Sequence, residues 1–128
     1  MQITLFLKRV LLLDAASCLG MGAMLIFGAD LLSGPFGMSA ALLEGAGIAL
    51  LPIGLYMGWL GLRLNAAAMF VWLVILGNAA WVAKSLALAF GHPEITPLGI
   101  AFVTSQAAFV LLMAILEYTG VRRATATA

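Results

Sequence analysis

Six residues of this 128-residue chain stand out as groups that could do chemistry within long apolar runs: Asp14, Glu44, Tyr56, Asn78, Lys84 and Gln106. A charge near the middle of a bilayer costs about 2.5–3.5 kcal/mol on insertion scales, so each ionisable one must be paired, neutralised or used. Asp14 lies five positions beyond Arg9, roughly 7–8 Å deeper along a helix axis. As a functional group it would be a cation or proton site. As a structural one it would take a hydrogen bond or ion pair from Tyr56, Ser17 or Arg63. No second acid is counted at its depth, which favours the structural role.

Two further constellations follow from spacing. Glu44 lies twenty positions before Leu64 and Lys84 twenty after it, so a tight hairpin turning at Arg63–Asn65 brings them to one depth as an ion pair. Pro52 removes a helix hydrogen bond and frees the carbonyl of Ile48, and Asn78, at matching depth, is placed to donate to it. Gln106, flanked by Thr104 and Ser105, could join Asn78 in a central polar network.

Other chemistries lack their residues. His92 is the only histidine and falls in a connection, so a haem held between two histidines of one chain is excluded. Cys18 is the only cysteine, no Cys/His cluster offers a metal site, and no nucleophile–base pair is visible. The expectation is a non-enzymatic chain with no cofactor and no metal. A formal net charge of +1 gives no basic surface, so no nucleic-acid partner is implied.

The elements that must position these residues are four apolar runs, about 10–29, 40–62, 66–90 and 98–119, each near the 20 residues a helix needs to span the hydrocarbon core. The chain is 65% hydrophobic and 9% charged, with a mean hydropathy of +1.18, too apolar to cover a soluble core. Continuous runs without alternation favour helices over barrel strands. The predicted fold is an all-α membrane protein, a single transmembrane domain over 1–128 forming a four-helix antiparallel bundle. Residues 10–29 are read as a retained signal-anchor helix, because Asp14 interrupts any short signal-like core.

Lys8, Arg9, Arg63, Arg122 and Arg123 fall on one side, which places both termini in the cytoplasm by the positive-inside rule. The localisation expected is a cell membrane crossed several times, the inner membrane in a Gram-negative host. Thr96-Pro97 is the sharpest boundary, a cap followed by a proline at the first helical position. Residues 30–39 are expected to lie along the membrane surface. Four-residue spacing of small residues marks close helix packing at Gly54 and Gly58, at Ala79, Ala83 and Ala87, and at Ala16 and Gly20. That packing lies within one bundle, with a homodimer or larger membrane complex as the alternative partner besides the lipid bilayer.

The runs Leu11-Leu12-Leu13-Asp14-Ala15-Ala16-Ser17 and Leu76-Gly77-Asn78-Ala79-Ala80-Trp81-Val82 resemble small uncharacterised bacterial four-helix integral inner-membrane proteins. The resemblance covers most of the chain and implies no activity. Small multidrug transporters also carry an acid in the first of four spans, but the residues around Asp14 do not match theirs. Fluoride-channel signatures are absent as well. Three functions remain: a structural or accessory subunit as the leading reading, a cation- or proton-coupled transporter or channel using Asp14, and a lipid or quinone binding module in a cleft at Pro52.

Overall fold

The computed structural model describes residues 1–126 and contains five helices among them. They are α1 (Leu5–Phe27), α2 (Ala29–Phe36), α3 (Ala40–Gly61), α4 (Ala68–Gly91) and α5 (Pro97–Ala126). Four of these, all but α2, are long and apolar enough to cross a membrane. The fold is all-α, and among the described residues the only extended pairing is an isolated bridge between Gln2 and Asn65.

Local chemistry accounts for the helix starts. The hydroxyl of Thr4 accepts from the Leu7 N–H at 3.2 Å, and that of Ser39 from the Leu42 N–H at 3.1 Å, each satisfying one of the donors a helix start leaves free. At α5, Thr96 accepts from the Gly99 N–H at 3.1 Å, with Pro97 in the first helical position. Thr96 also donates to the Pro35 carbonyl at 2.6 Å, and its own N–H donates to Phe36 at 3.1 Å. These bonds tie the start of α5 to the end of α2. Between α2 and α3 the chain turns at Gly37, whose φ of 67° is left-handed and where a Cβ would collide with the Glu94 carbonyl.

Two boundaries differ from the sequence reading. The first span starts at Leu5, five residues earlier, because Thr4 caps it there. The last runs to Ala126, seven residues beyond Thr119, and buries Gly120, Val121 and Ala124 on the same face as Glu117. The segment after the first span, expected to run along the membrane surface, is the short helix α2.

The helices associate unequally. α1 packs against α3 along a glycine seam. A Cβ added at Gly47 would lie 2.7 Å from the Gly22 carbonyl, and one at Gly22 would lie 2.9 Å from that of Gly47. Seven residues on, Gly54 meets Leu19 and Ala15, and seven further Gly61 meets Leu12. Gly58 also faces Ala15, at ordinary contact distance. Such small residues let backbones approach where lipid supplies no hydrophobic drive. The packing assigned to Gly54 and Gly58 is therefore intramolecular, whereas Ala16, Gly20, Ala79, Ala83 and Ala87 face outward.

α4 packs mainly on α5, and α3 touches α4 only slightly. Their contact is an aromatic clasp near the connection. The Tyr56 hydroxyl donates to the Phe70 carbonyl at 2.9 Å, and Trp59 meets the Phe70 ring edge-on at 6.1 Å. The same end holds the start of the chain: Ile3 donates to the Leu64 carbonyl and Ala66 to that of Met1, both at 2.9 Å, while the Arg123 guanidinium sits 5.3 Å from the Phe6 ring centre.

Candidate functional site

The apolar core encloses a cluster of three polar side chains drawn from three helices. Asn78 of α4 uses one amide nitrogen to donate to Asp14 Oδ2 of α1 and to Glu117 Oε1 of α5, each at 2.8 Å. Both hydrogens of that NH2 are thereby committed, and the two carboxyl groups meet across a single nitrogen. Asp14 is 1% exposed, Asn78 5% and Glu117 0%. Cys18, one turn after Asp14, donates weakly to its Oδ1 at 3.8 Å. Glu117 Oε2 is buried and has no partner.

Helix geometry explains why these three meet. Asp14 stands nine residues after the start of α1 and Glu117 nine residues before the end of α5, about 14 Å from each terminus at 1.5 Å per residue. Leu7 of the first turns packs on Gly120, which brings the start of α1 beside the end of α5, and Asn78 bridges the remaining offset between the two acids. Apolar run length ends the last span at Thr119, which leaves Glu117 two residues from a helix end as an acid with nothing to explain. The signal was present: Met113, Ala114, Glu117, Gly120, Val121 and Ala124 recur at three- and four-residue steps, and all are buried.

Beside this cluster lies a partly open cavity of about 420 Å³ between α3 and α4. Asp14 and Asn78 reach its wall, which is otherwise mostly apolar, with Leu50, Ile53, Leu73, Val74 and Phe109 among its residues. Tyr56 and Pro52 border it on α3 and Gly77 on α4. Pro52, Ile53, Leu73 and Gly77 are exposed, so the opening lies sideways between the two helices at mid-length. A second, smaller cavity of about 70 Å³ lies beyond Trp81 and Gln106, which border both.

Gln106 belongs to a separate network one step along the helices. Its carbonyl accepts from the Trp81 indole N–H at 3.0 Å, and its amide donates to Ser85 Oγ and to the Val103 carbonyl, both at 2.9 Å. Ser85 in turn donates to the Trp81 carbonyl at 2.7 Å. This latch joins α4 to α5 but makes no hydrogen bond to Asn78.

Several expected contacts are replaced by others. The partner of Asp14 is Asn78, while Tyr56 bonds Phe70, Ser17 donates to the Leu13 carbonyl at 2.9 Å, and Arg63 donates to Asn65 at 3.3 Å. Asn78 does not serve the carbonyl freed by Pro52, since both its donors go to carboxyl oxygens. Glu44 and Lys84 form no ion pair. Both are exposed, and among the described residues the one such pair within 4 Å is His92 with Glu94, at 3.1 Å. The shared cause is that depth matching assumed a tight α3–α4 hairpin, whereas α3 turns its packing face to α1. Comparison with protein-family models, with curated proteins and with solved structures finds no match for the chain.

Proposed function

We propose that this chain is a non-enzymatic membrane protein that binds a small lipid-soluble molecule in the cleft between α3 and α4. The observation that carries this reading is the cavity of about 420 Å³ with Asp14 and Asn78 in its wall. The cavity opens sideways between exposed residues of α3 and α4, so a molecule from the lipid phase can reach the two polar groups in its wall. The mostly apolar wall suits a lipid-phase molecule better than a polar solute, for which a file of polar groups across the protein would be required. Reactive groups at the cavity are occupied locally, Ser17 by a backbone carbonyl and Cys18 by Asp14, with no histidine beside them.

The reading places the protein in a cell membrane, the inner membrane of a Gram-negative host, with its four spans antiparallel and both termini in the cytoplasm. Support for that orientation comes from the basic residues Lys8, Arg9, Arg63, Arg122 and Arg123. The contacts of Ile3 with Leu64, and of Arg123 with Phe6, gather the same segments at one end.

Native mass spectrometry from a gentle detergent tests the proposal against a cavity-filling variant. Gly77 borders the cavity, and a Cβ added there meets nothing within 4 Å. The expected result is a small-molecule adduct on the wild type that Gly77→Leu loses while keeping its fold. Equal adducts on both proteins, or none on the wild type at activation energies that preserve the fold, would overturn it.

A further inference from the structure

We infer that the molecule taken by the α3–α4 cleft is a single-chain amphiphile with a small cationic head, of the alkylamine class, its ammonium seated at Asp14. The inference deepens the ligand-binding reading above and rests on it.

Charge complementarity selects the head. Asp14 and Glu117 bring two carboxyl groups to one amide nitrogen, and among the described residues no lysine, arginine or histidine lies within 4 Å of either. Asn78 has no hydrogen left to give, and Glu117 Oε2 is buried without a partner. Asp14, the acid in the cavity wall, has no cationic partner among the described residues. An ammonium supplies one, with three donors on a compact cation. A neutral carbonyl compound such as a quinone brings only acceptors to a cluster already rich in them. A zwitterionic phospholipid would carry a phosphate toward two carboxyl groups.

Volume and wall chemistry select the tail. At about 30 Å³ per small non-hydrogen group, the share a molecule has in liquid water, the cavity of about 420 Å³ accommodates about fourteen such groups. That is room for a head atom with one chain of about a dozen carbons. Ile53, Leu73, Val74 and Phe109 are apolar members of the wall that Asp14 shares, and Ile53 and Leu73 are exposed at its sideways opening. An amphiphile can thus enter from the lipid side with its chain trailing toward the opening.

The test uses the whole protein in a sterol-based detergent too wide for the cleft. The protein is equilibrated at pH 7 with dodecylamine or, at the same concentration, with dodecanol, and adducts are counted by native mass spectrometry. The two probes match in length and differ in head charge, because an alkylamine is protonated at this pH. The amine adduct is expected to exceed the alcohol adduct about tenfold, the factor that 1.4 kcal/mol represents. Asp14→Asn should bring the amine down to the level of the alcohol and leave the alcohol unchanged. Should Asp14→Asn fail to elute as the wild type does, Glu117→Gln replaces it, with a severalfold drop expected for the amine alone. Equal adducts of both probes, unaltered by either substitution, would overturn the cationic head while leaving an apolar ligand site standing. Absence of both adducts from the wild type, or their undiminished presence on Gly77→Leu, would overturn the ligand-binding reading itself.

Discussion

The seam between α1 and α3 and the cleft between α3 and α4 share one helix and behave in opposite ways. On one side of α3, Gly47, Gly54 and Gly61 recur every two turns and let α1 come within contact of the backbone. On the other, α4 stands off and leaves a cavity bordered by Ile53 and Tyr56. In lipid, apolar side chains gain little by leaving the solvent, so close association depends on small residues and interhelical hydrogen bonds. The glycine face has the first of these, and the cleft has neither except at the Tyr56–Phe70 clasp. One helix therefore anchors the fold with one face and borders an open cleft with the other.

Substitutions at the two faces should separate stability from binding. The largest loss is expected for Gly47→Leu, which drives a side chain into the Gly22 carbonyl and Ile26. Overpacking of this kind costs about 3 kcal/mol, read as a lower unfolding midpoint in mixed micelles. A change below about 1 kcal/mol would mean that α1 and α3 can separate freely and that the seam does not anchor the fold. Next is Asn78→Leu, which strips the donor from two buried carboxyl oxygens and should cost about 1–3 kcal/mol. Stability equal to the wild type would show that the acids find other partners at no cost.

Gly77→Leu sharpens the contrast from the cleft side. It should raise helix stability by somewhat less than about 1 kcal/mol, since glycine is the poorer helix former, while abolishing ligand adducts. A destabilised fold would show that the cleft is held closed by packing at this position. The smallest effect belongs to Glu44→Ala and Lys84→Ala. Both residues are exposed and unpaired with each other, so each change should stay within about 0.5 kcal/mol, with no coupling in the double variant. A coupling energy near 1 kcal/mol would restore the pairing that the splayed helices deny.

The correctly and wrongly anticipated contacts divide along the same line. Four apolar runs and the Thr96-Pro97 boundary were legible because span length and cap chemistry are local properties of the chain. Asp14 and Asn78 were recognisable as polar groups that needed explaining, but their joint partner was not. Glu117 looked terminal because apolar run length ends at Thr119, although α5 continues to Ala126 with a buried face. Gln106 was expected beside Asn78 and instead joins Trp81 and Ser85. The first is a matter of helix length and the second of register along two helices that do pack together, not of a misread residue.

By itself, then, the amino-acid sequence determined that this protein is helical, that four helices are long and apolar enough to span a membrane, and that a few intramembrane polar groups must find partners. Hydropathy and capping act over a turn or a span and need no knowledge of what lies alongside. Only the tertiary structure decided that α3 packs on α1 and stands off α4, and that Asp14, Asn78 and Glu117 converge. The physical reason is that association between apolar helices is settled by the shape of their faces. Glycines 47, 54 and 61 match the surface of α1, whereas the opposite face of α3 meets α4 at little more than the Tyr56–Phe70 clasp.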